Sequence, residues 1–401
     1  MRFVDFSQIV GPTYTLDDTS VEAQRCVNMY PEKVESTGEW WSKPTPGLLE
    51  FVDFGTAAPV MEGHTTSAGR AFFIAGTGFY EVFSNGTTLL HGTFTATPTS
   101  PRMADNGAVL MIVWGTTAYT LILSTNTFAV LSDAGYLGGG YIQFLDQFFI
   151  VNQPNTRYFQ LSPLSWDGAT AWDSSDIYPA ESSPDNITAL TVNGSEVWVF
   201  GPDSYEVFYN TGDAIDTFQR ISGAAVSIGT SAPYSVTAIQ GSVFWLGGSK
   251  QGAGIVWMSS GYQPQRISNH AVEAALAAMA DSTDARAWSY LDGGHYFYCM
   301  NFPSAGVTWV YDISTGMWHE RDHRVEVDNS RTQHRARCQI YAFGKNLVGD
   351  FENGKVYHLT GTVWTDNGVK IDRFRRCPAT DSYRETFFHK FELFGQVGAG
   401  I

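Results

Sequence analysis

The stretch FFIAGTGFYEVF, residues 72–83, decides the fold, because its pattern recurs along the chain. An apolar strand runs into a short glycine-bearing loop and then into a second strand rich in Tyr and Val. Working outward, the unit reappears as LMIVWGTTAYTLI from Leu110, FFIVNQPNTRYFQL from Phe148 and VWVFGPDSYEVF from Val197. It returns as VFWLGGSKQGAGIVWM from Val243, YFYCMNFPSAGVTWVYD from Tyr296 and KNLVGDFENGKVYHL from Lys345. Tyr-Glu-Val-Phe occurs at both Tyr80 and Tyr205, and Gln-Arg-Ile-Ser follows both Phe218 and Pro264. Successive units lie roughly 40 to 50 residues apart, the blade length of β-propellers. Asn-Gly or Asp-Gly at Asn85, Asn106, Asp167, Asn193, Asp292, Asn353 and Asn367 adds hairpin turns, read as type I′ because that turn needs positive φ.

A lone four-stranded sheet cannot bury both of its faces, so such units stack and close into a ring. The expected fold is all-β: a β-propeller of about seven blades with an irregular N-terminal arm and one short helix. Six or eight blades, a β-sandwich pair or a β-helix are the alternatives that periodicity leaves open. Residues 1–60 read as the arm and first outer strand, 61–368 as the propeller, and 369–401 as a C-terminal strand or docking segment. Phe387–Phe394 within that last part reads as a further strand, cut short or completed by a partner. The helix is placed over residues 268–280, about three turns, where Ala and Leu follow a capping residue.

Composition narrows the function. With 43% hydrophobic and 16% charged residues, the chain is not a disordered one. A net charge of −16 disfavours tight DNA binding, which needs a basic face, but suits a wall past which DNA slides. Cys26, Cys299, Cys338 and Cys377 stand far apart, without a Cys-x-x-Cys pair, and read as buried or incidental thiols of a reducing compartment. The N-terminus shows no basic-then-apolar signal pattern, and no run approaches the roughly 18 apolar residues of a membrane span.

Two strings invite an enzymatic reading. His319-Glu320-Arg321-Asp322-His323 matches the zinc motif H-E-x-x-H, which works when a helix puts both histidines on one face. Here it follows a hairpin turning at Ser314-Thr-Gly, so it reads as a polar blade-edge loop. Ser165-Trp-Asp-Gly-Ala-Thr-Ala-Trp is near the Asp-box turn of sialidase propellers but off by one in spacing. Arg25, Arg70, Arg102, Arg157, Arg220, Arg266 and Arg286 are scattered and assign no arginine triad. No catalytic residue, metal site or cofactor is therefore expected.

Positive charge is uneven. Residues 319–390 hold 13 Lys/Arg against 10 Asp/Glu, and the rest of the chain 11 against 30. The densest run supplies Lys370, Arg373, Arg375 and Arg376 as a candidate interaction or DNA-channel patch. A solvated strand edge protected by charge is the plainer reading.

Three segments carry a family resemblance. Gln24-Arg-Cys-Val-Asn-Met-Tyr-Pro-Glu precedes Thr45-Pro-Gly-Leu; Ala232-Pro-Tyr-Ser-Val leads to Ser242-Val-Phe-Trp-Leu-Gly; and Gly261-Tyr-Gln-Pro-Gln-Arg-Ile-Ser-Asn-His-Ala-Val-Glu follows. Together they resemble the packaged-DNA-stabilising tail hub family of P22-type short-tailed bacteriophages. Arg266, Ile267, Ser268, His270 and Glu273 fall on the family's motif, with Asn269 where a threonine is expected. The resemblance implies a non-enzymatic virion protein of the phage tail, assembled in the host cytoplasm. It implies a homo-oligomeric, hexameric ring with the portal-adaptor ring above and tail needle or nozzle proteins below. Packaged double-stranded DNA would pass through the channel without sequence-specific binding, and there would be no membrane anchor. A tail nozzle or tube propeller is the alternative role, and a propeller glycosidase or lectin acting on host surface sugars a more distant one.

Overall fold

The computed structural model describes residues 10–15, 23–249 and 252–377. Each repeated hairpin forms the two middle strands of its own antiparallel sheet. Six of these sheets are compact blades: residues 60–93, 102–130, 142–179, 189–226 and 229–266, and the sheet 336–360 completed by Gly47–Asp53. The remaining ring position is filled by a composite sheet of eight strands built on residues 286–324. The expectation of about seven like blades is thus revised to six compact blades and one compound sheet. The ring closes where Gly47–Asp53 runs antiparallel to Lys355–Thr360, with Asp53 opposite Lys355 and Gly47 opposite Thr360.

Stacking explains why the repeats read as unbroken apolar runs. All five residues of Ala71–Ala75 are buried, as are Val109–Val113, because both faces of an inner strand meet a neighbouring blade. Phe72 packs into one interface and Phe73 into the next. Outermost strands such as Thr88–Thr93 face water and lose that character. Trp166, Trp198, Trp245 and Trp318 are fully buried between sheets.

The turns depart from the expected type. Only Asn367-Gly368 has positive φ at both residues, 52° and 84°. At Asn85, Asn106, Asp167 and Asn353 the side-chain oxygen instead accepts the backbone N–H two residues on. These Asx-turns bend the chain through a side chain, and at Gly86, Gly107 and Gly168 the glycine alone takes positive φ.

The helix is shorter than expected, His270–Ala277, just over two turns. Asn269 caps it, its Oδ1 accepting the Val272 N–H at 2.9 Å. The high helix propensity of Ala278–Ala280 does not extend it past the Ala278 cap.

Candidate interaction surface

The composite sheet is where the first and last described strands, Tyr14–Thr15 and Phe374–Arg376, join the ring. Its four-stranded meander ends in Met317–Arg324, which pairs in parallel with Ala23–Val27 at Val27 and Glu320. Ala23–Val27 then pairs antiparallel with Phe374–Arg376, Val27 opposite Phe374. Asn28, at φ 56°, joins these pieces. Its Nδ2 donates to Asp322 Oδ1 at 2.7 Å and to the Asp372 carbonyl at 2.8 Å, while its own carbonyl accepts from the Thr45 N–H and hydroxyl, each at 3.1 Å. Asn28 and Thr45, one from each part of the first resembling segment, are thus hydrogen-bonded to each other.

The H-E-x-x-H string lies on a strand, so its reading as a polar loop is corrected. Alternation sends His319, Arg321 and His323 into the interior, at 0%, 1% and 5% exposure, and Glu320 and Asp322 to the opposite face. Four residues of strand span about 13 Å, too far for both histidines to ligate one ion. Glu320 is engaged by Arg25, whose Nε donates at 3.0 Å. Among the described residues no group of three or more His, Cys, Asp or Glu is placed to hold a metal.

Those inward residues belong to a buried polar seam between the composite sheet and the closing blade. Arg335 forks onto Asp350 at 2.7 and 3.1 Å, and the Tyr357 hydroxyl donates to the same carboxylate at 2.7 Å. Burial, then Arg335, pulls His323 down to about 4, and burial with Arg321 holds His319 and His334 well below their ordinary value. Burial pushes Asp366 up to about 7 despite Arg321 nearby. Arg321 stacks over Tyr290 at 5.0 Å. Cys26 and Cys299 are buried thiols pushed up to about 12, which removes them as nucleophiles.

The candidate patch is split rather than assembled. Arg375 turns inward, donating to the Pro12 carbonyl at 3.0 Å and to Gln24 Oε1 at 2.6 Å. Arg373 covers the Trp364 ring at 4.9 Å and reaches the Thr45 carbonyl. Lys370 and Arg376 are exposed. The second set forms a clasp around the helix start. Arg266 and Ser268 both bond Glu273, Ser268 Oγ accepts the Val256 N–H, and the Ile267 carbonyl accepts from Trp318 Nε1 at 2.8 Å. His270 is exposed beside it. The Asp-box-like string is also a local device: Trp166 Nε1 donates to the Thr170 carbonyl at 2.7 Å, and Asp167 accepts the backbone N–H groups of Ala169 and Thr170.

Sequence reading missed a cavity of about 380 Å3 on the ring axis, lined by the inner strands of every sheet. It brings together Arg102 and Arg286, two of the arginines that look scattered in sequence, and adds Arg337. They lie on three different inner strands, far apart in sequence, so no local motif marks them as a set.

Residues 10–364 match the family Phage_stabilise, described as Bacteriophage P22 Gp10, beta-propeller. The chain belongs to this family. Membership makes the phage-stabilising propeller a structural component of the virion, and among the described residues no helix is long and apolar enough to cross a membrane. No curated protein matches. Among solved structures, the extracellular domain of the putative one component system BT4673 from B. thetaiotaomicron is similar at 10% identity and TM-score 0.52, over 78% of this chain and 40% of that one. The computationally designed Ika8 protein is similar at 13% identity and TM-score 0.46, over 78% of this chain and 99% of that one. These likenesses concern the fold alone.

Proposed function

We propose that this member of the phage-stabilising family is a non-enzymatic tail hub. It forms a hexameric ring below the portal and adaptor, closes the filled head and retains the packaged DNA. The observation that carries the reading is the family match over residues 10–364, which takes in the central strands of every sheet of the ring and the strand Ala23–Val27. The net charge of −16 supports it in one respect: DNA leaving at infection meets a repelling wall and does not stick. Each subunit presents one heterologous face to the next until the rotation closes. The exposure of Lys370 and Arg376 supports a reading in which they meet an acidic patch on the adaptor or on the needle and nozzle proteins.

Deleting the gene in its source phage tests the role by electron microscopy and nuclease protection of the particles. Heads that package DNA and then leak it are the expected result. Stable, filled particles that only fail to adsorb overturn the hub.

A further inference from the structure

The axial cavity carries a charge pattern that a stability role does not explain. Arg102 and Arg286 both lie over the Tyr234 ring, their guanidinium carbons 5.0 and 4.5 Å from its centroid. Arg102 also lies 5.1 Å from the Tyr141 ring, which stacks on Tyr234 with centroids 5.6 Å apart. Glu62 neutralises Arg102, accepting from Nη1 at 3.0 Å. Among the described residues Arg286 hydrogen-bonds only a hydroxyl, Ser100 Oγ at 2.7 Å. Arg337 lines the same cavity, and its buried Nε has no partner, as is true of Arg102 Nε. Burial, then Arg337 and Arg102, pulls Arg286 down to about 10, the mark of like charges held together in a confined space. A protein with 40 acidic residues places none beside Arg286 or Arg337 at ion-pair distance among the described residues.

We propose that the axial cavity is a binding site for a small oxyanion dianion of the phosphate class, held by Arg286 and Arg337 with Arg102 and Tyr234 as one wall. Three guanidiniums and one carboxylate leave two positive charges, which a phosphate dianion offsets. Planar N–H forks supply the paired donors that phosphate oxygens accept. The space fits a small ligand and excludes a duplex. Because the arginines come from three different inner strands, an anion there cross-links the ring from inside.

The test melts the purified full chain in rising inorganic phosphate against chloride at matched ionic strength, with acetate as a second arm and calorimetry for stoichiometry. The expected result is a saturable rise in melting temperature with one phosphate per chain and a weaker response to acetate. Arg337→Gln should weaken phosphate binding about tenfold or more, the loss of one charge-assisted bond. In phosphate-free buffer the same variant should melt higher than the native chain, because like-charge repulsion is relieved. Arg286→Lys, which keeps the charge but not the fork, should bind with intermediate affinity. No saturable response to phosphate beyond chloride in the native chain overturns the site, whatever the variants do. Equal response to acetate overturns the dianion assignment, and unchanged affinity in Arg337→Gln overturns the assignment of Arg337.

Discussion

Asn28 Nδ2 donates to Asp322 Oδ1 at 2.7 Å across 294 residues of chain, and this bond ties the N-terminal arm to the strand that carries the zinc-like string. Because Asn28 sits at φ 56°, both its side chain and its backbone are specified by the site.

Asn28→Ala should therefore cost about 2–4 kcal/mol, from lost buried hydrogen bonds to a carboxylate and a carbonyl plus the strained φ. Asn28→Gly relieves the φ and should recover only a part. Urea denaturation of the two variants measures the difference.

The strand geometry of His319-Glu320-Arg321-Asp322-His323 predicts that the string binds no zinc. Chelator should leave the melting temperature unchanged, and elemental analysis should find zinc far below one ion per chain.

Stability should fall as pH drops below the ordinary histidine range. Unfolding returns His319, His323 and His334 to about 6.5, so below that pH the unfolded chain binds more protons than the folded one. His323, folded near 4, accounts for about 2 kcal/mol between those values after allowance for solvent screening. Asp366, raised to about 7, has the opposite sign: its folded form keeps a proton that the unfolded chain releases, so its contribution improves as pH falls through 7. Asp366→Asn should raise stability at pH 8 and steepen the acid limb, and His323→Gln should flatten that limb. Denaturation midpoints from pH 4 to pH 8 check both.

Glu273→Ala should loosen the clasp at the helix start, since one carboxylate serves Arg266 and Ser268. A loss of about 1 kcal/mol is expected, with faster hydrogen exchange across His270–Ala277.

Lys370→Glu combined with Arg376→Glu should leave the melting temperature nearly unchanged and lower incorporation into particles. Arg375→Ala should do the reverse first, lowering the melting temperature through the lost bonds to Pro12 and Gln24. Melting curves and particle composition separate the two.

The hairpins were legible because each one is local: two apolar strands and a loop need nothing beyond their own residues. An outer strand within residues 1–60 was expected without a position, and the knot around Asn28 was not, since its partners Asp322 and Asp372 lie some three hundred residues away. The burial of His319 and Arg321 was hidden by their polarity, since alternation of charged residues on a strand looks like a surface until a second sheet covers one face. Arg102, Arg286 and Arg337 converge only because a ring brings its innermost strands to one axis.

Closure by Gly47–Asp53 also dictates a timetable for biosynthesis. The strand leaves the ribosome early, but its partner Lys355–Thr360 emerges only after about 300 more residues, roughly 15 to 60 seconds at bacterial elongation rates. Throughout that interval the nascent chain carries an unpaired edge that could recruit a neighbouring polysome's copy of the same strand. The yield of soluble protein should thus depend on translation speed and on chaperone supply more than the stability of the finished ring would indicate.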